Sequence, residues 1–300
     1  MWSLSTLAIF FMLNSVSATP YKRAATPVSA AELSSFSPYT QFARAAYCST
    51  SKLAGWNCGE ACRALPGFQP TLVGGDGNAI QIYFVGYWPT QNTVVVAHQG
   101  TDPTKLVSVL TDLNVLQDPL DTKLFPGVSA SVRVHDGFRN AHALTAPRIL
   151  AEVKNLMASK GTNRVTVIGH SLGGALAQLD ALYFSLNLPA GTLIKAMTYG
   201  VPRVGNAAFA SLLDSKIPDL KRINNRKDLV PIIPGRFLGY GHPQGEVHIL
   251  STGSAVACSG QDNSVDSQCQ IKTVPTIFDG NIFDHLGPYE GVYIGTIFCT

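Results

Sequence analysis

Arg164-Val165-Thr166-Val167-Ile168-Gly169-His170-Ser171-Leu172-Gly173-Gly174-Ala175-Leu176-Ala177 passes from a β-branched run to an alanine- and leucine-rich one through a glycine-flanked serine. Arg164–Ile168 suits a short central strand buried on both faces. Leu172–Leu186 is apolar on most sides and predicts a largely buried helix. Gly169-His170-Ser171-Leu172-Gly173 fits G-x-S-x-G, which chance composition would produce in roughly one chain of this length in ten. Its place carries the weight, because a strained strand-to-helix turn presents a nucleophile. The glycines leave room for such a turn, and the helix amino terminus puts partial positive charge where an oxyanion would form. A helix N-cap serine between tight-packing glycines is the competing reading.

Outward from this stretch the pattern alternates. Ala30–Tyr47 reads as helix, Ala79–Tyr87 and Thr93–Ala97 as strands, and Phe138–Ser159 as a helix that stops before Gly161. Leu193–Tyr199 reads as a strand, the region near Asn206–Asp214 as a helix, and Leu220–Asn224 as a strand. Such alternation predicts an α/β fold, a mainly parallel sheet covered on both faces. No repeat or linker divides the chain, so residues 24–300 form one expected domain.

Hydrophobic residues make up 46% of the 300 residues and charged ones 14%, enough apolar material for one sizeable core. The net charge of +3 is small and its lysines and arginines are scattered, which argues against a nucleic-acid partner. Leu4–Leu13 is apolar and is followed by Val16-Ser17-Ala18, a small-x-small site, so residues 1–18 read as a secretory signal. No Lys or Arg precedes that run, and a membrane anchor is the rival reading, although a span takes about 20 residues. Lys22-Arg23 suits a processing protease, which would make residues 19–23 a pro-segment; the pair reads equally as ordinary surface charge. Six cysteines in an exported chain predict three disulfides, with fifteen pairings open. Cys58 with Cys62 and Cys258 with Cys269 could each close a small loop, leaving Cys48 and Cys299.

A serine nucleophile in this setting is followed along the chain by an acid and then a histidine. Asp228 follows the Leu220–Asn224 strand, as the acid should, and a surface turn aspartate reads the same way; Asp180 lies within the helix after Ser171. His285 lies in a late loop ahead of the apolar run Gly291–Phe298, whereas His242 and His248 flank the Pro243–Gly245 turn. His285 is therefore favoured as the base.

Gly169–Ala177 resembles the nucleophile segment of the secreted filamentous-fungal lipases, the class 3 lipases. His135-Asp136-Gly137-Phe138, Tyr199-Gly200-Val201-Pro202-Arg203-Val204-Gly205-Asn206, Asp228-Leu229-Val230-Pro231 and Gly239-Tyr240-Gly241-His242 are similar to further blocks of that family, in order. The resemblance implies an α/β-hydrolase fold, a Ser171–Asp228–His285 triad, the pairing Cys48–Cys299, and Val204, Val230 and Leu286 as walls of an acyl groove. Core packing is the alternative role for those three. One block departs: Gln99-Gly100-Thr101 stands where the family commonly has Arg-Gly-Ser or Arg-Gly-Thr. Thr101 keeps the hydroxyl expected of an oxyanion donor beside the Leu172 N–H, while Gln99 puts the family's local ion pairing in doubt.

The expected reaction runs through an acyl-enzyme on Ser171 and needs no metal or organic cofactor. Losing one oxyanion donor would cost about 3–4 kcal/mol of transition-state stabilisation. In Asp102–Asn114, Leu106, Val107, Val109, Leu110 and Leu113 share an arc of roughly 160° on a helical wheel, opposite Thr104, Lys105, Ser108, Thr111 and Asp112. This amphipathic segment sits where the family has its lid. Leu106 and Leu110 would face the substrate, and the opened lid would meet a lipid–water interface. A helix packed permanently on the core is the competing reading. An apolar lid favours acylglycerols over the aryl esters of feruloyl-type esterases. A non-catalytic binding protein of the same fold would have lost a triad member, and a zinc hydrolase would need three convergent ligands.

Overall fold

The strands Thr93–His98 and Arg164–His170 are apolar on both sides, so successive residues feed two cores rather than one. Val94, Val96, Val165 and Val167 pack on one face, and Val95, Ala97 and Ile168 on the other. The computed structural model describes residues 24–101 and 116–300. The signal and pro-segment expected over 1–23 and the lid expected over 102–114, with Leu106 and Leu110, lie outside the described residues.

In chain order the strands are β1 Thr26–Val28, β2 Gln69–Gly74, β3 Tyr83–Trp88, β4 Thr93–His98, β5 Gln117–Pro119, β6 Arg133–His135, β7 Arg164–His170, β8 Leu193–Tyr199, β9 Gly205–Asn206, β10 Asp219–Asn225, β11 Tyr240–Gly241, β12 Glu246–Ile249 and β13 Ala255–Cys258. The described helices are α1 Ala30–Ser34, α2 Ser37–Ala45, α3 Thr50–Ala54, α4 Glu60–Arg63, α5 Asp136–Lys160, α6 Leu172–Asn187, α7 Ala207–Lys216 and α8 Gln270–Thr273. The main sheet has the order β1-β13-β12-β10-β8-β7-β4-β3-β2. Its five central strands, β12, β10, β8, β7 and β4, run parallel. Antiparallel strands extend it on both sides. A small antiparallel sheet of order β11-β9-β6-β5 lies apart from it.

Helices α5 and α6 cover one face and bury Ile149, Val153, Leu179 and Leu182 against the sheet. Phe42 and Ala43 of α2 cover the other. Twelve of the sixteen residues of α6 are buried, as its continuous apolarity requires. Disulfides join Cys48 to Cys299, Cys58 to Cys62 and Cys258 to Cys269. Among the described residues no helix is long and apolar enough to cross a membrane.

Two expected elements differ. The helix expected over Ala30–Tyr47 is two helices, because Pro38 in the first turn of α2 has no N–H to continue the ladder from α1. The strand expected from Ala79 begins at Tyr83; Asp76 Oδ1 accepts from the N–H groups of Asn78 and Ile80 and holds the preceding residues in a turn. All five parallel strands end on one side of the molecule, where open α/β sheets bind their ligands.

Candidate active site

Ser171 occupies the one-residue link between β7 and α6 with φ 58° and ψ −130°, a conformation that non-glycine residues rarely adopt. The link closes only because its neighbours are glycines. A Cβ on Gly169 would stand 2.0 Å from the Gly173 carbonyl oxygen, and one on Gly173 would stand 2.3 Å from that of His98. The Ser171 N–H donates to the Tyr199 carbonyl at 2.9 Å, fixing the end of β7 to β8.

Asp228 lies three residues beyond β10, fully buried. Its Oδ1 accepts from the Val230 N–H at 2.9 Å, its Oδ2 is 2.8 Å from His285 Nδ1, and the Tyr289 hydroxyl lies 3.4 Å from the same Oδ2. Both side-chain oxygens are thus engaged, which fixes the orientation of the carboxylate. The Gln270 amide donates to the Asp228 main-chain oxygen at 2.6 Å.

His285 sits in the 3₁₀ turn Ile282–Leu286. That turn is laced to the one bearing Asp228. The Lys227 N–H donates to Asp284 Oδ2 at 3.1 Å, Asn225 Nδ2 donates to the Asp284 carbonyl at 2.9 Å, and the Asn281 N–H donates to the Lys227 carbonyl at 2.7 Å. With Nδ1 directed at Asp228, Nε2 is left buried with no hydrogen-bond partner among the described residues. It is the free position a general base needs.

Gly200, just past β8, has φ 51°, and a Cβ there would stand 2.7 Å from Asp228 Oδ2, His285 Nδ1 and the Tyr289 hydroxyl alike. The Asp228–His285 pair thus closes over bare backbone. Burial, then the charge of Asp228, pushes the Tyr289 phenol well above its ordinary value, so it remains a donor.

Thr101 is buried three residues after β4, and Leu172 opens α6. The contact of Gly173 with the His98 and Gln99 carbonyls brings these two segments together. Of the expected groove residues, Val204 is fully buried in the core between sheet and helices, Val230 is buried beside Asp228, and Leu286 is partly exposed. His242 Nε2 donates to the Pro231 carbonyl at 2.8 Å, and both ring nitrogens of His248 face carbonyls, of Arg226 and Gln268. Both are engaged by backbone carbonyls. Arg203 clamps the segment after the acid, donating to the Ile232 and Pro234 carbonyls and to Asp262.

Residues 95–238 match the family described as class 3 lipase. A secreted mono- and diacylglycerol lipase of Malassezia globosa is 36% identical over 224 residues, 74% of this chain and 71% of the relative. The chain belongs to the class 3 lipase family. Among solved structures, lipase II of Rhizopus niveus superposes on this lipase with a TM-score of 0.79 at 26% identity, over 92% of this chain and all of that one. The triacylglyceride lipase of Rhizomucor miehei gives 0.78 at 26% identity, over the same shares. The fold of the lipase is therefore the α/β-hydrolase fold, and the enzyme is an ester hydrolase.

Three parts of the candidate site escaped the sequence reading: Gly200 as the floor of the Asp228–His285 pair, Tyr289 against Asp228, and Gln270 behind it. Gly200 stood inside a quoted motif, and its φ was the missing signal. Nothing local marks Tyr289 or Gln270.

A second buried cluster was also missed. Asp180 on α6 accepts from His98 Nε2 at 2.7 Å and His142 Nε2 at 3.0 Å, tying β4 and α5 to α6. Burial opposes its charge, but the two imidazoles hold the Asp180 carboxyl below its ordinary value.

Proposed function

We propose that this lipase hydrolyses acylglycerol esters through Ser171 as nucleophile, His285 as general base and Asp228 as the acid that orients it. The observation that carries this reading is the 2.8 Å contact of His285 Nδ1 with Asp228 Oδ2, which leaves the imidazole Nε2 free. His285 takes the Ser171 proton as the hydroxyl attacks the ester carbonyl. The same proton passes to the leaving alcohol, and water, activated by the same imidazole, releases the fatty acid. Asp228 orients the imidazole through Nδ1 and stabilises the imidazolium that forms. The N–H of Leu172 at the start of α6, with Thr101, receives the oxyanion.

The relatives carry names that include both secretion and acylglycerol substrates. Three disulfides suit an oxidising compartment, and residues 1–18 supply an export signal in this reading. Docking to a lipid–water interface is assigned to the amphipathic stretch 102–114. It is supported by Phe237, Phe278 and Phe283, exposed on the loops that carry or follow the acid and base. Large exposed aromatics of this kind mark surfaces that meet an apolar phase.

The test compares the purified mature lipase with Ser171→Ala on p-nitrophenyl butyrate and emulsified triolein. Turnover of triolein that vanishes in Ser171→Ala supports the whole reading. Turnover of butyrate alone keeps the triad and removes the lipid preference, and full activity in Ser171→Ala overturns the triad.

A further inference from the structure

His170, the residue before Ser171, has no place in the proposed triad, yet its side chain touches the backbone and the ring of His285 as well as the Tyr47 hydroxyl. It is the last residue of β7 and is buried. Its Nε2 lies 2.8 Å from the main-chain oxygen of His285, and its Nδ1 lies 2.6 Å from the Tyr47 hydroxyl. A carbonyl oxygen can only accept, so Nε2 carries the hydrogen. The remaining lone pair is on Nδ1, and Tyr47 donates to it. The two contacts together select one neutral tautomer.

The ring also packs on the base. The imidazoles of His170 and His285 have centroids 4.3 Å apart and planes inclined by 34°. The titratable groups facing His170 are Tyr47, His285 and Tyr289, the last in an edge contact at 6.0 Å. Burial first, and the charge of His285 second, keep His170 well below the ordinary histidine value, so it stays neutral while His285 takes a proton. The His285 carbonyl is held from a second side by the Tyr289 hydroxyl at 3.1 Å. Space for the Tyr47 hydroxyl comes from Gly100, where a Cβ would lie 2.4 Å from it and 2.8 Å from Ser171 Cβ.

We infer that His170, with its tautomer set by Tyr47, is a positioning residue that locks the backbone and one ring face of His285 to the strand carrying the nucleophile. The inference rests on the proposed role of His285 and adds to it. Asp228 fixes the imidazole through Nδ1 and leaves its main chain on a late 3₁₀ turn. His170 is bonded covalently to Ser171 and by hydrogen bond to His285, so nucleophile and base move as one unit. A neutral imidazole is required, because a second cation against His285 would oppose the charge that forms there in the reaction.

The test uses the mature lipase and p-nitrophenyl butyrate, with His170→Phe, His170→Gln, Tyr47→Phe and the double variant Tyr47→Phe/His170→Phe. His170→Phe keeps the ring contact and loses both hydrogen bonds; kcat is expected to fall at least tenfold with KM within twofold of native. His170→Gln, whose amide can again donate to the His285 carbonyl, recovers part of that loss. Tyr47→Phe lowers kcat about threefold in the native background and leaves it unchanged in the His170→Phe background. The inference is overturned if His170→Phe keeps kcat within twofold, or if the Tyr47→Phe effect is the same in both backgrounds. Should His170→Phe fail to fold by near-ultraviolet circular dichroism, Tyr47→Phe decides alone: native kcat then sinks the idea. Ser171→Ala measured alongside separates the two levels. An inactive Ser171→Ala with a fully active His170→Phe removes only the positioning role, whereas an active Ser171→Ala removes the triad itself.

Discussion

Gln99 reaches back to Ile82 with both main chain and side chain: its N–H donates to the Ile82 carbonyl at 2.8 Å and its Oε1 accepts from the Ile82 N–H at 3.0 Å. This pair of hydrogen bonds to the residue just before β3 fixes the residues just before Thr101. Gln99→Ala leaves the buried Ile82 N–H without an acceptor. The expected cost is about 1–3 kcal/mol, read as a lower urea midpoint. Gln99→Arg is expected to cost as much, since a guanidinium has no acceptor to offer. An unchanged midpoint in Gln99→Ala would show the contact to be idle.

Gly200→Ala places a methyl group against Asp228, His285 and Tyr289 at once and puts an L-residue at φ 51°. The acid–base contact must open, so kcat on p-nitrophenyl butyrate is expected to fall by about two orders of magnitude or more, toward the loss that follows when the acid no longer fixes the base. Fluorophosphonate labelling of Ser171 should slow in parallel. Near-native turnover would mean that the pair tolerates displacement.

Stability is expected to fall on acidification. Burial holds His170 and His242 well below the ordinary histidine value. The unfolded chain therefore binds protons that the folded one refuses, starting at about pH 6.5. Asp262 adds to the loss at lower pH: burial opposes its charge, but His242 and Arg203 hold it at about 2. Glu290 works in the other direction. Burial raises it to about 7, against a hydrogen bond from Thr40, so its contribution is complete at low pH and is lost as pH rises through 7. Glu290→Gln should therefore raise stability at pH 8 relative to native by on the order of 1–2 kcal/mol, read as a higher Tm, and leave Tm nearly unchanged at pH 4.5. Equal shifts at both values would rule out titration of Glu290 as the cause.

The Cys48–Cys299 bridge spans 251 residues of sequence, and Cys48 adjoins Tyr47. Replacing both cysteines by serine is expected to cost about 2–4 kcal/mol, measured as a fall in Tm. A drop in kcat should accompany it at temperatures where the fold persists, because Tyr47 touches His170. Unaltered kcat with lowered Tm would confine the bridge to a purely stabilising role.

Ser171 was legible because strand, glycines and helix all lie within some twenty neighbouring residues, where period and propensity speak directly. Asp228 was half legible. Its place after a strand could be read, but its burial depends on Val230, Gln270 and His285, and only the last two of those contacts cross far-apart chain segments. The link from His170 to His285 spans 115 residues, and no local pattern encodes it. Strands β12 and β13 were missed because each has four residues, and β12 carries Glu246 and His248 inward, their polarity answered by Arg222, Gln270 and backbone carbonyls. The break between α1 and α2 could have been read from Pro38. A run of helix-like composition on both sides concealed it.

Among the described residues, both margins of the main sheet are closed by a strand that carries a proline. β1, outermost on one side, is three residues long with Pro27 at its centre; β2, outermost on the other, contains Pro70 and a register shift before Leu72. A proline offers no N–H to an incoming chain, and a shifted register presents no regular ladder to copy. Nine strands deep, the sheet therefore ends at each side on a surface that resists further strand addition. Copies of the chain brought to high local concentration are thereby kept from zipping together edge to edge.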